Sequence, residues 1–220
     1  MSSSVERDAA RSLDQRRFDE WPASLRALFD GTSLASKIGF SASLITGDVG
    51  GHLRTSLLGI GELYAPDSRT LAFALWPTSR AARTLASPDH SVTHAAGYPV
   101  SHEAHAWAPR HDYRRAHAAL TFVHDAAFYQ VQLAVEPLQN AGVEGQDAAE
   151  AGSGLALFLA SIDAGEIQQV GYARLTGGIT FELSGDASGH KQVLDRWQRQ
   201  LERLRKAAHA RLAADGGGAA

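Results

Sequence analysis

The stretch from His52 to Leu85, HLRTSLLGIGELYAPDSRTLAFALWPTSRAARTL, constrains the fold more than any other part of this chain. It reads as a long strand, a tight turn at Pro66-Asp67-Ser68-Arg69, a second strand, and a helix opened by Pro77-Thr78-Ser79-Arg80. Strands joined by so short a turn pair as a hairpin. The helix start carries chemistry as well. Its first N–H groups and its dipole favour an anion. Arg54, on the first strand, adds a guanidinium of the kind that grips phosphate through two parallel hydrogen bonds. The pattern predicts a small phosphate site.

The remaining segments extend the same architecture. Lys37 to Thr46 places Ile38, Phe40, Ala42 and Leu44 on one face, the period of a half-buried strand, and Gly47 to Gly51 turns the chain into the long strand. ALTFVHD and AFYQVQLAV form a further hairpin meeting at Asp125–Ala126. Val5 to Trp21 alternates charges with Leu13, Phe18 and Trp21 and predicts an amphipathic helix; a second short helix follows Pro22 and stops near Gly31. Leu155 to Gln168 reads as a helix weakened by Gly165, ITFEL as one last strand, and Lys191 to Leu212 as a helix with a salt-bridge-laced outer face. No Gly-rich strand-to-helix fingerprint is present, which removes the usual nicotinamide fold. The expected class is mainly β with flanking helices (α+β), a small antiparallel barrel. A helical segment over 1–32 precedes the barrel at 33–184, which carries a His-rich insert at about 88–117. A C-terminal helix at 185–212 and a disordered tail at 213–220 follow.

Composition narrows the functions. A formal net charge of −3 gives no electrostatic reason to expect nucleic acid or an anionic membrane as partner. No apolar run approaches the roughly eighteen residues a membrane span needs. The absence of cysteine excludes disulfides and thiolate catalysis. MSSSVERDAARS lacks the apolar core of a secretory signal, so a cytoplasmic location is expected. His102-Glu103-Ala104-His105 has metal-binding composition, but its histidines are three apart between Pro99 and Pro109, unlike helical HExxH; no metal site is expected.

Arg54 on a strand, followed by Ser79-Arg80-Ala81-Ala82-Arg83 at a helix start, resembles the FMN-binding split-barrel family related to pyridoxamine 5′-phosphate oxidase. That family has Ser-Arg-Lys-Ala-Arg there, so Ala81 stands at its lysine. The resemblance covers about Ile38 to Leu138 and, more weakly, ITFEL with its following helix. It implies an antiparallel split barrel and an FMN phosphate held by Arg54, Ser79 and Arg80, with Arg83 one helical turn on. It further implies that backbone groups of Thr55, Ser56 and Leu57 run along the isoalloxazine edge. Leu75 and Trp76 would wall the flavin, and Gln130 would approach it. The implied protein is a homodimer with flavin at the interface, an FMN-dependent oxidoreductase acting on a small substrate, with no catalytic side chain assigned. The alternative is a non-catalytic flavin- or haem-binding barrel; deazaflavin and haem rank behind FMN. Plainer readings stand beside these: Arg54 as a surface arginine, Ser79 as a helix cap, and a barrel that dimerises without a cofactor.

Overall fold

The computed structural model describes residues 13–48, 50–87, 115–138 and 154–216. Residues 5–12, His102–His105 with most of the His-rich insert, nearly all of the acidic link and the end of the tail lie outside them. In chain order the elements are β1 (Leu13–Phe18), α1 (Ala23–Leu28), β2 (Ser41–Gly47), β3 (Leu53–Gly59), β4 (Leu63–Tyr64), β5 (Thr70–Leu75) and α2 (Arg80–Ala86). β6 (Ala116–His124), β7 (Ala127–Leu138), β8 (Ala156–Val170) and α3 (Ala187–Gly216) follow. Short 3-10 turns lie at Leu34–Lys37 and Ile60–Glu62.

Every strand pair is antiparallel. The hydrogen-bonded order is β3-β2-β6-β7-β8-β5-β4, with β1 also on β8. The ends of this path, β3 and β4, are consecutive in the chain and joined by the Ile60–Glu62 turn alone. A 3-10 turn rises about 2 Å per residue, so the two ends are on the order of 6 Å of chain apart. A flat sheet in this order would hold them on the order of 29 Å apart. The sheet is therefore curled on itself into an antiparallel half-barrel, the expected class. The long strand expected after His52 is in fact two, because this turn carries the chain from one end of the sheet to the other.

The barrel interior collects the inward residues of each strand. On β2 these are Ala42, Leu44 and Thr46; α2 adds Ala81, Ala82 and Leu85, and α3 adds Trp197, Leu201, Leu204 and Ala208 to the same core. Each buried Leu-sized side chain contributes on the order of 1.5–3 kcal/mol. The β6–β7 turn is a two-residue loop with Asp125 and Ala126 at φ 46° and 61°, the left-handed geometry that matches strand twist. The short helix after Pro22 forms as expected and ends before Gly31, at φ 75°.

Three expectations are corrected. Leu13–Phe18 is a strand on β8 rather than part of a helix, with Phe18 lying over Gly165, where no Cβ would fit. Leu155–Gln168 is mostly strand: β8 is flanked by β7 on one edge and by β5 and β1 on the other. ITFEL forms no strand. It crosses the start of β2, where Ser41 Oγ donates to Ile179 O, but it adds no ladder to β2, which pairs with β3 and β6.

Candidate functional site

Arg54 stands opposite Thr46 in the β2–β3 ladder, and Thr46 stands opposite Ala118 of β6. Directly opposed residues share a face, so Arg54 belongs to the inner face at the barrel rim, its side chain 43% exposed. Thr46 is 2% exposed, and its Oγ1 has no hydrogen-bond partner among the described residues. Arg54 also faces Asp48 at 3.5 Å. Asp48 shapes the turn, since its carboxylate accepts the N–H groups of His52 at 2.9 Å and Gly50 at 3.0 Å. The His52 N–H is the main cause of an Asp48 carboxyl pKa below the usual value.

Helix α2 packs against β2 and β3. Ser79 caps it: its Oγ accepts the Ala82 N–H at 3.1 Å, worth about 1 kcal/mol. The Ser79 N–H closes a turn on Trp76 O at 2.9 Å, which ties the end of β5 to the helix start. The N–H groups of Arg80 and Ala81 are among those a helix leaves without an internal acceptor. Arg80 and Arg83 are exposed and form no ion pair among the described residues. Ala81, at the position of the family's lysine, is 1% exposed and packs in the core.

The remaining candidates divide between the two sides of the sheet. Ser56 shares the inner face with Arg54, whereas Thr55 and Leu57 point outward. Leu57, Ser43, Thr121 and Gln130 form one row across β3, β2, β6 and β7, which sets Gln130 three strand spacings, about 14 Å, from Leu57. Leu75 is buried in the core, so only its backbone is offered to a ligand. Trp76 is 65% exposed at the rim of a cleft under α3.

Thr46 carries no local motif, and its only signal in the sequence is a hydroxyl in the inward register of an apolar strand. Asp48 likewise lies in a turn without a motif, and Arg196, Arg199 and Arg203 fall on the helix face that reads as salt-bridge-laced. Among the described residues no group of three or more His, Asp or Glu is placed to hold a metal ion.

The molecule is thus an antiparallel half-barrel with a cationic rim. Among solved structures, it is similar to HupZ of Group A Streptococcus (11% identity, 74% of this chain and 99% of that one, TM-score 0.39). It is also similar to a pyridoxamine 5′-phosphate oxidase-like protein of Lactobacillus delbrueckii (12% identity, 67% and 94%, TM-score 0.39). A heme binding protein of Mycobacterium smegmatis matches at 9% identity over 72% of this chain and 59% of that one, TM-score 0.33. The neighbours therefore include proteins of the split-barrel kind that Arg54 and Ser79–Arg83 resemble. Likeness of this depth carries nothing about ligands or reactions. No protein-family profile matches the sequence, and no curated protein does.

Proposed function

We propose that the chain is an FMN-binding, homodimeric oxidoreductase of the split-barrel type, acting on a small organic substrate. The observation that carries this reading is the Thr46 hydroxyl, buried without a partner among the described residues on the rung beside Arg54. Such a group costs on the order of 1–3 kcal/mol, and a phosphate oxygen placed there would satisfy it. Arg54, Arg80 and the first N–H groups of α2 would hold the phosphate; Arg83 and the Ser79 cap would complete the cradle. Asp48 would yield Arg54 in part to the phosphate. When bound, the flavin supplies hydride acceptance and donation.

Among the described residues β3 ends the strand path, and one of its edges has no ladder partner there. The backbone groups of Thr55 to Leu57 on that edge are suited to fix the polar rim of a planar ring. Leu53 and Leu57, 74% and 55% exposed, give this edge an apolar surface suited to a second copy of the chain.

Titration by flavin fluorescence tests the reading. Arg54→Ala and Arg80→Ala each weaken FMN roughly ten- to a hundredfold, the value of one charge-assisted contact. Thr46→Val weakens FMN without destabilising the protein alone. Riboflavin, which has no phosphate, binds all four proteins alike. Wild-type FMN affinity in both arginine variants overturns the assignment.

A further inference from the structure

Helix α3 is fixed on the barrel in one rotation. The Trp197 indole lies on the Ile60–Glu62 turn so closely that a Cβ on Gly61 would stand 2.3 Å from Trp197 Cγ. Gln200 Nε2 donates to Gly61 O at 2.7 Å, and Phe181 meets the Trp197 ring edge-on with centroids 6.1 Å apart. With that rotation Arg196, Arg199 and Arg203, spaced i, i+3 and i+7, lie along one stripe. They line a cleft of about 200 Å³ together with Trp76, Glu62, Leu155 and Leu157.

The charges of the cleft are unbalanced. Among the described residues its one carboxylate, Glu62, accepts the Gly59 N–H and has Arg196 as its nearby cation. The neighbouring acids on α3 are taken elsewhere, Glu202 by Arg205 at 3.1 Å and Asp195 by Lys191 at 2.6 Å. Arg199 and Arg203 form no ion pair among the described residues. Arg203 lies against Gly154, its Nη2 2.9 Å from where a Cβ would stand, so a larger residue there would displace it. Trp76 leaves most of a large ring in water at the rim of these cations, a placement that core packing does not explain.

We propose that this cleft binds a small planar organic anion, an aryl phosphate or aryl carboxylate. Its ring would lie against Trp76 over Leu155 and Leu157, and its anionic group would meet Arg199 and Arg203. The volume falls below the roughly 300–1,000 Å³ of pockets for drug-sized ligands, which limits the occupant to about one ring and its charged group. The site goes beyond the flavin reading and does not rest on it.

Isothermal calorimetry on the full chain without added flavin tests the proposal, with phenyl phosphate, benzoate, inorganic phosphate and phenol as probes. Either aryl anion binds saturably at one site per chain, and inorganic phosphate and phenol bind about tenfold more weakly or less. Arg199→Gln and Trp76→Ala each weaken the aryl anion about tenfold. Lys206→Gln, which removes one charge elsewhere on the same helix, changes nothing. The Arg199 variant keeps its FMN affinity, so failure here and failure of the flavin reading are separable. No saturable binding of either aryl anion at about 10 mM overturns the proposal. So does inorganic phosphate binding as tightly as phenyl phosphate, or an equal loss in the Lys206 variant.

Discussion

Glu62 joins the two ends of the curled sheet, and burial pushes its carboxyl pKa above the ordinary 4.5. The Gly59 N–H and Arg196 oppose that rise without cancelling it. Above pH 4.5 the unfolded chain loses this proton while the folded one retains it. Stability therefore falls as pH rises from 4.5 to the folded-state value and levels off beyond. Glu62→Gln keeps an acceptor for Gly59 and removes the titration, so denaturant melts from pH 4 to 8 should show a flatter decline than wild type. Ala81 makes a different point. Restoring the family's lysine there would place an ammonium at a position 1% exposed. Ala81→Lys should thus lower stability by about 2 kcal/mol or more, through desolvation and overpacking, rather than add a phosphate ligand. A thermal melt decides, and an unchanged Tm would mean that the side chain escapes to the surface.

Gly61 decides how α3 sits. Gly61→Ala forces a methyl into the Trp197 ring and should cost about 1–3 kcal/mol, roughly 3–10 °C in Tm. It should also disturb the cleft that α3 builds. Elements of this kind were unevenly legible. The β6–β7 hairpin and α3 were readable because alternation and helical spacing each follow from one buried face. β8 was not: Leu155, Phe158, Leu159 and Ile162 fall at helical spacing, yet residues 157–160 are all buried because strands flank β8 and both its faces are covered there. β1 offers no fully buried residue, so its place on β8 rests on backbone pairing and on Phe18 packing over Gly165, which no periodicity in the sequence encodes. At the site, Arg54 and the Ser79 cap were visible as local motifs. Thr46, Arg199 and Arg203 gain their meaning only from what the curled sheet and the docked helix set beside them.

At the scale of the molecule, the edge of β3 that no described strand pairs with bears on assembly. A two-fold dimer is the commonest closed arrangement, and a ligand bound only by that state raises its stability. Light scattering should therefore report a dimer at micromolar concentration, and FMN should raise its melting temperature. A monomer that still holds stoichiometric flavin would separate the cofactor from this assembly. Among the described residues no helix is long and apolar enough to cross a membrane. The position of β8 governs something else, the order in which this chain can be made. β1 and β5 are synthesised early, yet the partner of β1 and the second partner of β5, beyond β4, come only with residues 156–170. Until the ribosome has released that segment, β5 and β7 each present an unsatisfied edge to the cell. Pairings so distant in sequence make folding slow, and the nascent barrel must wait, exposed to aggregation and to chaperones, for one late strand.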